Sequence, residues 1–179
     1  MTDTLRQDLK IDLVAFDKQD QPVLAVEVKA MTGAVQTALE WIARLELEVR
    51  SNVRPIPYWM FADLDNIIIF SYGDGSKLPP AELFIRTATV LGAYDPEFGR
   101  KRIFDEYLLA LVEAWLRDFA FDWRSANPPA MKELTEIGLA GRLKGGTTHR
   151  EVPLADLDPD PLRGNQLCDE PFPGTGSGD

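Results

Sequence analysis

An aspartate at position 12 and the triplet Glu27-Val28-Lys29 are the residues of this chain best suited to chemistry. Asp12 lies in Ile11-Asp12-Leu13-Val14-Ala15-Phe16-Asp17 and Glu27 in Pro22-Val23-Leu24-Ala25-Val26-Glu27-Val28-Lys29. Both runs are apolar and rich in β-branched residues, and the polar Lys18-Gln19-Asp20-Gln21 separates them, the pattern of an antiparallel hairpin. A turn centred between Gln19 and Asp20 sets Asp12 directly opposite Glu27, with Cβ atoms roughly 4.5–5.5 Å apart. Side chains alternate along a strand, so Lys29 shares the face of Glu27. Facing carboxylates repel unless a cation binds between them, so Asp12→Asn is expected to stabilise the metal-free protein. Mg²⁺ suits such a site, because it takes one or two carboxylates and keeps several waters; Mn²⁺ can substitute. Asp12 and Glu27 are the expected ligands, with the Val28 backbone carbonyl as a third. The ion would polarise a phosphodiester and acidify a water, while Lys29 orients that water and offsets developing negative charge.

An acid-x-lysine triplet is common, roughly one per hundred-odd residues at average composition. Its setting here, in an apolar strand with an acid facing it and a helix following, makes it a candidate site. The plain alternative is an edge hairpin whose polar face carries all three residues, with Lys29 simply pairing one acid.

The elements that follow must hold this pair in place. Thr32-Gly33 can open a helix with Thr32 as N-cap, and Val35, Ala38, Ile42, Leu45 and Val49 form its apolar stripe. Arg54-Pro55-Ile56-Pro57 ends it. Tyr58–Ala62 and Ile67–Tyr72 read as strands around the turn residues 63–66. Gly73-Asp74-Gly75-Ser76 is a loop, and the residues after Pro79-Pro80 do not declare a type. Arg100–Phe121 reads as a helix with Ile103, Phe104, Tyr107, Leu108, Leu111, Trp115 and Phe119 on one side. A shorter helix from Pro128-Pro129 closes near Gly138 or Gly141.

Asp12, then Glu27-Val28-Lys29 across a hairpin, then a helix and the aromatic-rich strand pair, resembles the core of the PD-(D/E)XK nuclease superfamily, and more narrowly its small stand-alone bacterial members. The resemblance covers roughly residues 5–150 and is strongest over 9–72. It implies an α/β domain with a restriction endonuclease-like mixed sheet flanked by helices and a helical C-terminal half, over about 100–145. It also implies a Mg²⁺-dependent nuclease acting on nucleic acid, DNA in the first instance, with Asp12, Glu27 and Lys29 catalytic. The alternative is a nuclease-fold module without activity that serves protein–protein or regulatory interactions. Superfamily cores commonly place a helix and a strand ahead of the first acid, and only eleven residues precede Asp12. Asp3 or Asp8, a homodimer partner or another subunit would supply that side.

Composition narrows the classes. The 179 residues, 45% hydrophobic and 27% charged, fit one globular domain over 1–154. Residues 155–179, Asp/Pro/Gly-rich with six acids and one base, read as an acidic disordered tail. The net charge of −10 weighs against nucleic-acid binding, yet the tail carries −5 of it. One histidine and one cysteine exclude His/Cys zinc sites and an internal disulfide, which fits a cytoplasmic protein. The charged N-terminus has no signal-peptide core, and no run is long enough to span a membrane.

Other residues have duller uses. Asp17, an odd number of positions from Asp12, reads as a turn residue; Gln36 reads as a solvated helix position. Arg100-Lys101-Arg102 and the set Arg142, Lys144, His149 and Arg150 are basic clusters best explained as surface. Trp41 and Trp59 read as core, and Gly145-Gly146 as turn chemistry rather than a phosphate loop.

Overall fold

The computed structural model describes residues 10–33, 36–43, 56–71 and 81–157. Six strands form one mixed sheet: β1 (Lys10–Phe16), β2 (Pro22–Val28), β3 (Tyr58–Ala62), β4 (Asn66–Ser71), β5 (Ala81–Arg86) and β6 (Thr147–Pro153). Their order is β5-β4-β3-β2-β1-β6. β2 and β3 run parallel and every other neighbouring pair is antiparallel. Helix α1 occupies residues 36–43, followed by α2 (Thr87–Leu91), α3 (Asp105–Phe121), α4 (Met131–Glu136) and α5 (Leu139–Leu143). Among the described residues no helix is long and apolar enough to cross a membrane.

Helices cover both faces of the sheet, which is why β2 and β3 read as nearly unbroken apolar runs. On one face Leu13, Leu24, Val26, Val28 and Met60 pack against Leu108, Val112, Trp115 and Phe119 of α3 and against Leu134, Leu139 and Leu143. On the other, Val14, Ala25, Trp59, Phe61 and Phe70 meet Ala38 and Ile42 of α1 and Leu154 and Leu157. The packed chain therefore continues past Leu154 to Leu157; residues 158–179 lie outside the described part. Trp41 and Trp59 meet edge-on at 5.6 Å, as expected of core residues.

The hairpin has the expected register. Leu13, Val14 and Ala15 face Val26, Ala25 and Leu24. A bulge between Ala15 and Phe16 absorbs one residue at the turn, where Asp17 Oδ1 accepts the N–H groups of Gln19 and Gln21 at 2.8 and 2.9 Å. Asp17 is thus the turn residue its spacing suggests. The hairpin is not an edge: β2 lies between β3 and β1, and β1 between β2 and β6.

Several expectations change. β6 had no place in the sequence pattern, because five of its seven residues are polar and its burial does not alternate strictly. Its insertion makes the C-terminal half mixed, so a helical half is not clearly seen. The loop before it needs Gly146, where an added Cβ would meet the Phe16 carbonyl oxygen at 1.9 Å. The single short helix becomes α4 and α5, separated at Gly138, whose φ is 80°. The N-cap expected at Thr32 and the stripe residues Val35, Leu45 and Val49 involve positions outside the described part.

Helix α3 begins at Asp105, not Arg100. Phe104 is its N-cap residue, with φ −109° and ψ 160°, and is 59% exposed. The residues before it form a turn and a bend and stay outside the helix, where an ion pair anchors them. Lys101 Nζ lies 2.8 Å from buried Asp95, and the Tyr107 hydroxyl donates to the same carboxylate at 3.1 Å. The hydrogen bond from Lys101, the Glu97 N–H and the Tyr107 hydroxyl together hold the Asp95 carboxyl below its ordinary value. A depressed carboxylate contributes stability above its unfolded value of 3.8 and loses it as pH falls through the lower folded value. Acid melts should show this. Lys101→Met, lacking the pair, should lose less stability than wild type between about pH 5 and about pH 2.

Candidate metal centre

The three candidate residues meet at the C-terminal end of β2, beside its parallel neighbour β3. Lys29 Nζ lies 2.7 Å from Glu27 Oε1 and 3.8 Å from Asp12 Oδ2. The Glu27 side chain is only 12% exposed, while those of Asp12 and Lys29 are partly open to solvent. A largely covered carboxylate on an interior strand is costly unless it is paired, and Lys29 supplies the pair.

Asp12 has a second duty. The recorded β1–β2 pairing stops at Leu13 and Val26, and two residues on the Val28 N–H donates to Asp12 Oδ2 at 2.8 Å. The side chain substitutes for a ladder partner where the strands part. In an extended strand the N–H and C=O of one residue leave by the same edge, so the Val28 carbonyl also points toward β1. The Val28 side chain is buried in the core.

A third acid joins from far along the chain. Asp105, first residue of α3, accepts the Ala30 N–H at 2.5 Å. It ties the helix to the chain just after Lys29. Nothing local announces this contact, which spans 75 residues; the one available signal is an acid in the first turn of a strongly amphipathic helix.

These charges set the state of Lys29. Burial lowers its pKa, but the hydrogen bond and charge of Glu27, with the charges of Asp12 and Asp105, outweigh burial and hold it above the ordinary 10.5. Lys29 is therefore a cation throughout the neutral range and cannot act as a base there. The ammonium between two carboxylates marks a place built for positive charge. Among the described residues, no group of three or more His, Cys, Asp or Glu side chains gathers closely enough to hold a metal.

The remaining candidates sort plainly. Gln36 Nε2 donates to Glu40 Oε1 at 3.2 Å along α1. Arg150 is exposed, as expected, but it is paired: its Nη2 and Nε lie 2.6 and 2.7 Å from Glu113 Oε2 of α3. Thr148 and Arg117 bind the same buried glutamate at 3.0 and 3.1 Å. His149 packs edge-on against Phe16 at 5.2 Å, and Lys144 lies 3.9 Å from Asp122. Arg142 lies over the Tyr58 ring at 6.0 Å. Asp3 and Asp8 fall outside the described residues. A separate cavity of about 590 Å³ lies beside α4. Its buried Asp118 is already engaged by the Tyr94 hydroxyl and the N–H groups of Arg124 and Ser125. Burial, then that aspartate, pushes the Tyr94 hydroxyl above its ordinary value.

No protein-family model, curated protein or solved structure matches this chain.

Proposed function

We propose that this protein is a divalent-metal-dependent nuclease whose centre is Asp12, Glu27 and Lys29. The reading rests on one observation: two carboxylates on neighbouring interior strands converge on a single cationic atom, Lys29 Nζ, at 3.8 and 2.7 Å. Asp12, Glu27 and the Val28 carbonyl are the groups that would hold Mg²⁺, consistent with a preference for oxygen ligands and retained water. When bound, the ion supplies Lewis-acid polarisation of the phosphodiester and acidification of the attacking water.

The chain's own residues do the rest. Lys29 gives up part of its contact with Glu27 and turns its N–H donors to the water and to a phosphoryl oxygen. Its raised pKa suits it to offset charge as the phosphorane forms, not to remove a proton. Asp105 and the Val28–Asp12 bond hold the residues around Lys29 at both flanks. The restriction endonuclease-like arrangement belongs to the same proposal, as do nucleic acid as substrate and a partner subunit completing the N-terminal side.

A second reading has its own support. The Lys29–Glu27 contact neutralises the site internally, as it would in a module that has kept the strands without the reaction. Incubation with single-stranded DNA, duplex DNA and RNA in Mg²⁺ or Mn²⁺, with a chelator control, separates the two. Cleavage that needs the metal supports the nuclease. Absence of cleavage on all three, with no thermal shift on adding either metal, leaves the non-catalytic module.

A further inference from the structure

We infer that the exposed segment entering α3 is a grip for single-stranded nucleic acid, with Phe104 as a stacking platform for a base and Arg100 and Arg102 as phosphate contacts. This rests on the nuclease reading for its substrate class. Arg100-Lys101-Arg102 is the one run of three consecutive cations in the sequence. Ile103 is buried in the core and Lys101 reaches Asp95, while Arg100, Arg102 and Phe104 are exposed. Two guanidinium groups and a phenyl ring are thus exposed within five consecutive residues.

The pieces are set for a ligand. Arg102 lies over one part of the Phe104 ring at 4.9 Å from its centroid, and Phe104 stays 59% exposed. Among the described residues, neither Arg100 nor Arg102 has a carboxylate at ion-pair distance, whereas Lys101 does. Of the acids that follow, Asp105 accepts the Ala30 N–H and Glu106 lies 4.0 Å from Arg150. Phe104 directly precedes the residue that binds the chain next to Lys29, so a strand on this segment leads to the candidate centre. An exposed aromatic beside paired cations matches single-strand binding, in which stacking accepts any base and cations track the backbone. A duplex keeps its bases stacked inward and offers the ring nothing to stack on. The local charge also answers the objection from net acidity, because contact is made by this segment rather than by the whole surface.

The test is binding by fluorescence anisotropy in chelator at low salt, so that cleavage plays no part. Probes are a labelled single-stranded DNA, the same sequence as RNA, and the DNA duplex. Wild type should bind the single strands more tightly than the duplex. Phe104→Leu should weaken single-strand binding by roughly 5- to 150-fold, the worth of one stacked base, and change duplex binding little. Arg100→Gln with Arg102→Gln should reduce the slope of log affinity against log salt by about 1.4, two single-strand phosphates. Melting curves on each variant verify folding, which these exposed positions should not disturb. Unchanged single-strand binding in folded Phe104→Leu overturns the inference, as does preference for duplex. Equal competition by polyglutamate would instead assign the segment to an acidic protein partner. Failure of cleavage with this binding pattern intact defeats the nuclease reading alone; cleavage with unchanged Phe104→Leu binding defeats the grip alone.

Discussion

Lys29→Met should lower metal-dependent cleavage by about 10²- to 10³-fold, the usual cost of deleting a group that stabilises transition-state charge. The loss should fall on kcat rather than KM, because the ammonium acts where charge develops and not on the resting substrate. Stability should respond in a way a surface lysine does not predict. Without Lys29, Glu27 and Asp12 lose the cation at 2.7 and 3.8 Å. The metal-free variant should melt lower by about 1–2 kcal/mol, above the range for an exposed pair because Glu27 is largely covered. Mg²⁺ should restore part of that loss. The pH dependence has a fixed sign. A lysine whose folded pKa is raised contributes fully below its unfolded value of 10.5 and loses that contribution as pH rises through the folded value. The wild-type advantage over Lys29→Met should therefore stay constant through neutral pH and shrink in strong alkali. Cleavage by Lys29→Met at the wild-type rate would end the assignment.

The site was legible where it depends on neighbours in sequence. A hairpin register follows from turn position and from the pattern on each strand, and Leu13–Val26, Val14–Ala25 and Ala15–Leu24 are the pairs it predicts. Long-range contacts carry no such signature. Asp105 reaches Ala30 only because α3 crosses the sheet with its first turn at the end of β2. The polar strand β6 pairs with β1 over Lys10–Phe16 without any apolar alternation to announce it. Arg150 is exposed as its sequence suggests, but its pairing with Glu113, 37 residues away on α3, carries no local signature. The start of α3 was misplaced for a related reason. Phe104 and Tyr107 continue the apolar spacing of the helix, but the chain turns and bends at Arg100 and Lys101, where Lys101 pairs with Asp95, and the helix begins only at Asp105. Periodicity reports which residues could share a face, not which of them a neighbouring ion pair prevents from joining it.

Asp12 is the residue whose replacement divides structure from chemistry most sharply. Read from sequence as half of a repelling pair, it should stabilise the metal-free protein when changed to Asn. Two contacts reverse that expectation. Lys29 already offsets the repulsion, and Asp12 Oδ2 accepts the Val28 N–H beyond the last strand pair, Leu13 with Val26. Asp12→Ala should cost about 1–3 kcal/mol without metal, because it orphans an N–H in a covered strand. In a chain of this size that is a fall of roughly 2–4 °C in Tm for each kcal/mol. Asp12→Asn can still accept through its amide oxygen, so it should cost less, about 0.5–1 kcal/mol for exchanging a charged acceptor for a neutral one. The two variants should nevertheless respond to Mg²⁺ alike. A ligand at a hundredfold its Kd stabilises the folded state by about 2.7 kcal/mol, and wild type should show a shift on that scale once the metal saturates. Both variants should show far less, since each lacks a carboxylate ligand. Differential scanning at graded Mg²⁺ reads both effects in one series. Equal metal shifts in wild type and Asp12→Asn would remove Asp12 from the coordination shell and leave it only its bond to Val28.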